Sequence, residues 1–185
     1  SGEVGVPGYY DCALELSSQA AALGLVNSRL LVAVGSMGTY MGLFTGIFNE
    51  GLDLNLEGLA IAPFYKNPRA HALSYYKKVQ TYYHLPKDAV ETDFHICNDY
   101  TFGGYNNEVK EVREAVYYLA RKEGILLDPC YTGKGFYGLL DKVQQGDIKK
   151  GETVIFLHTG GQPGLNGPNH RKAMEAELMD GIHIL

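Results

Sequence analysis

Cysteine is scarce in this sequence, and positive charge is thinly spread. The three cysteines, Cys12, Cys97 and Cys130, are odd in number and far apart. That spacing fits neither a disulfide framework nor a CxxC metal site, so reduced, mostly buried thiols are expected. His95 and Cys97 form an HxC pair without a second half, and no metal is assigned to them. Lys and Arg number 16 against 21 Asp and Glu, a net charge of -5, and the lysines are scattered. Nucleic acid and acidic membrane surfaces are therefore not expected partners. No apolar run approaches the roughly 20 residues of a membrane span, and the opening lacks the basic-then-apolar order of a signal peptide. The expectation is a cytoplasmic protein. There is no initiator methionine either: the chain opens "SGEVGVPGYYDC", and Ser1 reads as a cloning or cleavage remnant.

What is present is the composition of one α/β domain. The 185 residues are 45% apolar, with 23 glycines, enough for a single buried core. Helical spacing predicts a helix over 9–23, with Tyr9, Ala13, Leu16, Ala20 and Leu23 on one face and Gly24 at its C-terminal end. "RLLVAV" (29–34) reads as a strand covered on both faces. There follow an expected helix over 39–50, a strand over 56–62, a helix over 68–84 between Pro68 and Pro86, and a strand near 93–97. Helices over 107–123 and 133–145 and a buried strand over 153–158 complete the series, and the tail is expected to add a helix and a terminal apolar strand. Such alternation predicts a three-layer sandwich around a mostly parallel sheet. In such folds a ligand lies beyond the carboxyl ends of the strands, here "GSMGT", "PFYKN" and "HTGGQPG".

The loop Gly35-Ser36-Met37-Gly38-Thr39 leaves a strand and enters a helix. Successive amides, two hydroxyls and the positive helix end converge there, an arrangement suited to phosphate. Glycine at 35 and 38 would allow close approach or a positive φ. The loop is neither a Walker motif nor GxGxxG, and a purely steric tight turn is the competing reading.

Taken with "GVPGYYDCALEL", "GGYNNEVKEVREAVYYLARKEGILLDPCYTGKGFYGLLDKV" and "FLHTGG", the stretch "VGSMGTYMG" resembles the C-terminal part of pyridoxal-phosphate enzymes of the D-cysteine desulfhydrase and 1-aminocyclopropane-1-carboxylate deaminase family. The resemblance runs from about Gly5 to Gly164. It implies the tryptophan-synthase-β-like fold (fold type II) with the cofactor between two domains, and a homodimer in the full-length enzyme. It implies that Gly35, Ser36, Met37, Gly38 and Thr39 hold the pyridoxal 5'-phosphate phosphate, and that Tyr131 and Tyr105 are catalytic tyrosines. Thr159 and Gly160 of "HTGG" would lie at the cofactor, with the Thr159 hydroxyl on the ring nitrogen. Deaminases carry "YEG" after the tyrosine where this chain has Thr132, which favours the desulfhydrase branch and a small amino-acid substrate.

In that family the Schiff-base lysine and the Ser-Asn loop for the substrate carboxylate lie upstream of the recognised part. The chain is accordingly expected to be a C-terminal part, inactive by itself, of a longer two-domain enzyme. A complete non-catalytic protein, or an α/β module that binds phosphate or nucleotide, is the alternative. Lys134 is the lysine nearest the supposed site, but relatives carry one there that is not the Schiff-base lysine. Helix-end support or a ring-proximal charge are its expected roles. His158 reads as a cofactor contact or a structural histidine. The doublets Tyr75-Tyr76, Tyr82-Tyr83 and Tyr117-Tyr118 read as packing residues, and Lys149-Lys150 as a solvated turn.

Overall fold

The structure, a computed structural model, describes residues 2–179. A 3-10 turn, Gly2–Gly5, leads into α1 (Val6–Ala22). The remaining order is β1 (Ser28–Val34), α2 (Gly38–Glu50), β2 (Leu54–Ala60), α3 (Pro68–Tyr83), β3 (Ile96–Cys97), α4 (Lys110–Glu123), α5 (Thr132–Gln144), β4 (Val154–Leu157) and α6 (Pro168–Leu178). All strands pair in parallel, in the order β3-β2-β1-β4. The chain steps from β1 to β2 to β3 with α2 and α3 on one face, then returns along α4 and α5 on the other. This is how right-handed crossovers wind a sheet outward from β1 in both directions.

Alternation along β1 sorts the core. Leu30, Val32 and Val34 pack with α1, α2 and α3, while Leu31 packs towards Tyr137 and Leu139 of α5. The expected three layers are therefore present. α1 and α2 approach closely because Gly42 and Gly46 face α1: a Cβ on Gly42 would collide with Tyr9 Cβ and lie 2.8 Å from the Val6 carbonyl, and one on Gly46 would lie 3.0 Å from Ala13 Cβ. Gly42→Ala should destabilise the fold by about 2 kcal/mol through this overpacking, read as a lowered denaturant midpoint with unchanged slope. A loss under about 0.5 kcal/mol would mean that the helices can separate freely. At the far end of α1, Gly24 (φ 68) sits one residue past the cap and Leu25 N–H returns to Ala20 O at 2.9 Å, the Schellman closure.

Several boundaries differ from expectation. α1 starts at Val6, because Pro7 in the first turn needs no amide partner, and Leu23 is exposed instead of packed. β2 begins two residues early and ends at Ala60, since Leu54 pairs with Ser28. The strand expected over 93–97 shrinks to two residues, preceded by a 3-10 turn. α4 starts at Lys110, not 107. β4 was expected to be buried but is only partly so throughout, because it is an edge strand among the described residues. Cys130 is buried, whereas Cys12 and Cys97 are only partly so. Tyr76 is buried, but Tyr82 and Tyr118 are half-exposed. Lys149 and Lys150 are exposed as expected.

The tail helix exists and docks on α4: Glu177 accepts two hydrogen bonds from Arg113 Nε (3.0 and 3.1 Å), one from Arg113 Nη2 (2.6 Å) and one from Tyr117 (2.7 Å). The expected terminal strand lies outside the described residues. Among the described residues no helix is long and apolar enough to cross a membrane.

Candidate active site

The chain moves outward from β1 on both sides, so the sheet has its switch point where β1 and β4 lie side by side. In open α/β sheets the ligand crevice opens at that point, beyond the carboxyl ends. A cleft of about 640 Å³ lies there, lined by Thr39, Tyr105, Tyr131 and Thr159 among others. These four residues come from four separate segments of the sequence. The volume falls in the usual range for small-molecule sites, roughly 300–1,000 Å³.

The loop after β1 is built differently from the expectation. The positive φ falls on Met37 (φ 67) and not on a glycine, and the Met37 side chain is buried. Burial of that side chain is what holds a non-glycine residue in the left-handed region. Gly35 serves packing: a Cβ there would sit 2.9 Å from Tyr131 Cε2. Gly38 has open space where its Cβ would be, and Ser36 is exposed. The Gly35 amide is taken by the Tyr131 hydroxyl at 3.3 Å. By contrast, the amides of Met37, Gly38, Thr39 and Tyr40 donate to no group among the described residues, the first bond of the helix being Met41 N–H to Met37 O. Four donors at a helix start, with room beside Gly38, are an arrangement that could accept an anion.

Tyr131 sits at the head of α5. Its hydroxyl donates to Ala33 O (3.1 Å) and accepts from Gly35 N–H, so the phenol is fastened to the end of β1. Burial pushes it above the ordinary tyrosine range. Tyr105 is about half-exposed; its ring meets Tyr131 edge-on at 6.5 Å, and burial is the main cause that takes its phenol to about 12. Both are protonated at neutral pH.

The site also depends on a residue that the motifs did not single out. Asp128 is buried, and its carboxylate accepts from Cys130 N–H (2.9 Å), Tyr131 N–H (2.6 Å), Thr132 N–H (2.9 Å) and the Thr132 hydroxyl (2.8 Å). It caps α5 from within the turn "DPCYT" and so aims Tyr131. Gly161 (φ 105) and Gly164 lie against it; a Cβ on Gly161 would collide with Asp128 Oδ1. The sequence signal was an Asp-Pro turn ahead of a helix with a hydroxyl residue four positions on. Tyr9, Asn106, Cys130, Pro163 and Gly167 complete the missed lining.

Thr159 lines the cleft, but Gly160 does not, its amide being turned to His158 Nδ1 at 3.3 Å. His158 thus closes its own turn. Lys134 neither lines the cleft nor supports the helix end: it is fully buried and its ammonium lies among backbone carbonyls. Among the described residues no lysine lines the cleft, and none of the His, Cys, Asp and Glu groups could hold a metal.

Comparison with known proteins agrees with this architecture. A solved ACC deaminase homologue superposes with a TM-score of 0.75 at 29% identity, over 95% of this chain and 51% of its own. The D-cysteine desulfhydrase of Salmonella paratyphi C is 36% identical over 166 residues, 89% of this chain and 49% of that protein. The 1-aminocyclopropane-1-carboxylate deaminase of Mesorhizobium japonicum is 30% identical over 160 residues, 86% of this chain and 48% of that protein. The chain thus spans about half the length of the curated relatives it matches. Residues 2–160 match the family described as pyridoxal-phosphate dependent enzyme, and the chain belongs to that family.

Proposed function

We propose that this chain forms the phosphate-binding and ring-binding part of a lyase of the D-cysteine desulfhydrase type, releasing pyruvate, ammonia and sulfide from D-cysteine. In this reading the lysine that bonds the cofactor and the loop that reads the substrate carboxylate belong to a part of the protein outside these residues. The observation that carries it is the convergence of Thr39, Tyr105, Tyr131 and Thr159 on one cleft at the switch point.

The residues present suit the cofactor. The unpaired amides of Met37 to Tyr40 and the Thr39 hydroxyl match a phosphate dianion, and the open side of Gly38 leaves room for it. When bound, pyridoxal phosphate supplies an electron sink for chemistry at the α-carbon of an amino acid. Thr159 would offer the bound ring a neutral hydroxyl, where a carboxylate would keep the ring nitrogen protonated. That choice keeps the sink moderate and suits loss of a β-substituent. Tyr105, protonated and half-exposed, could donate a proton to the departing hydrosulfide, as could Tyr131 if its hydroxyl turns from Ala33 O.

Thr132 favours the desulfhydrase over the deaminase branch. It is fully buried with its hydroxyl on Asp128, so the position that carries glutamate in the deaminase pattern here serves the cap. The test uses the whole protein that carries this chain, supplied with pyridoxal phosphate. Sulfide and pyruvate should appear from D-cysteine, and Thr39→Ala should weaken cofactor binding by roughly 10- to 150-fold, the loss of one hydrogen bond to a charged group. Turnover of 1-aminocyclopropane-1-carboxylate alone would move the protein to the deaminase branch. Failure to bind the cofactor would end the proposal in favour of a phosphate-binding or nucleotide-binding module.

A further inference from the structure

Lys134 is a buried cation beside the cleft that the proposed reaction leaves unused. Its side chain is 0% exposed, and among the described residues no carboxylate lies within ion-pair reach of it. A buried ammonium without a counter-charge is costly unless its protons are taken up. Here they are shared among four backbone carbonyls: Gly104 O at 2.6 Å, Ile61 O at 3.1 Å, Tyr105 O at 3.2 Å and Thr101 O at 3.4 Å. Three of these belong to one turn, 101–105, and the fourth lies just past the end of β2.

That turn has one backbone hydrogen bond of its own, Gly104 N–H to Thr101 O at 3.2 Å, and Asn107 Nδ2 donates to Phe102 O at 3.0 Å. Phe102 (φ 49) and Gly103 (φ 72) are both left-handed, so the carbonyls of 101, 104 and 105 are drawn inward towards one point. Two left-handed residues in succession, one of them phenylalanine, need surrounding structure to hold them. Lys134 adds the hold from the centre of the turn, and the Phe102 ring lies 5.8 Å from its ammonium. Cys130 adds a second donor to the same Tyr105 carbonyl, with Sγ at 3.3 Å. The Tyr105 ring that results lies between Tyr131 (6.5 Å) and Phe64 (5.8 Å). Lys134 follows Tyr131 by three residues, so one turn of α5 places both tyrosines: Tyr131 through its own backbone, and Tyr105 through the ammonium.

We infer that Lys134 is a positioning residue, whose buried ammonium gathers the 101–105 turn and thereby sets Tyr105 edge-on to Tyr131 at the cleft. The bearing on catalysis rests on the lyase reading above; the hold on Tyr105 does not. Lys134→Met keeps most of the length and the apolar stem but removes every donor.

The experiment compares the parent protein with Lys134→Met, both containing 3-fluorotyrosine, with the Tyr105 resonance identified by its loss in Tyr105→Phe. The fluorine signal of Tyr105 should move towards the free-tyrosine position, and amide exchange over 101–106 should quicken by about tenfold. The Tyr131 signal and exchange in β1 should stay near the parent values. In the D-cysteine assay kcat should fall with little change in KM, and adding Tyr105→Phe to Lys134→Met should lower it no further. An unmoved Tyr105 signal, or exchange that quickens evenly along the chain, would overturn the inference. A parent protein without lyase activity would count against the proposed function only, and the fluorine and exchange results would still decide the role of Lys134.

Discussion

Asp128→Ala is expected to lower stability by about 3–5 kcal/mol, the largest loss from any single truncation near the cleft. Its carboxylate serves three amides and a hydroxyl in a buried turn, and each buried donor left unmatched costs about 1–3 kcal/mol. Part of that is recovered if water enters from the cleft, which is why the sum is not taken in full. The same change removes the surface on which Gly161 and Gly164 rest, so the loop that carries Thr159 should loosen with it. Equilibrium unfolding in denaturant measures the first effect and amide exchange over 159–165 the second. Asp128→Asn keeps the shape but turns one acceptor into a donor facing amides, and should recover less than half of the loss. A loss below about 1 kcal/mol in Asp128→Ala would show that the head of α5 is held by other contacts.

Tyr131→Phe separates a core tyrosine from a catalytic one. The hydroxyl bridges Ala33 O and Gly35 N–H, so its removal should cost about 1 kcal/mol of stability whichever role holds. If the phenol also moves a proton, turnover of D-cysteine by the whole protein should fall by about 10²- to 10⁴-fold. Because burial raises this phenol above the ordinary tyrosine range, it stays protonated through neutral pH. A proton donor of this kind retains activity until the pH climbs past its raised value, and the phenylalanine variant should lose that alkaline limb. Turnover within about tenfold of the parent would leave Tyr131 with its two backbone bonds as its whole function.

Much of this was legible without coordinates, and the reason differs by element. The core strand β1 and its two neighbouring helices announce themselves through local pattern: an unbroken apolar run, then 3.6-residue spacing. Thr39, Tyr105, Tyr131 and Thr159, expected at a site through a resemblance that reads motif by motif, line one cleft. The weaker expectations were those that depend on neighbours. β4 reads as a buried strand because its residues are apolar, but the exposure of an edge is set by what pairs with it. Glycine at 35 and 38 suggested a backbone requirement, whereas the left-handed residue is Met37 and Gly35 makes room for a ring 96 positions away.

Sequence alone determined that the chain is an α/β protein with a glycine-containing strand–loop–helix turn after its first strand, because periodicity and helix-end chemistry act over a few residues. It could not determine what Asp128, Lys134 or Gly161 do. A carboxylate, an ammonium and a glycine have no fixed role until the fold decides which donors, carbonyls and side chains surround them. Only burial made Asp128 a cap and Lys134 a cross-link, since the cost of leaving their charges unsatisfied arises once water is gone.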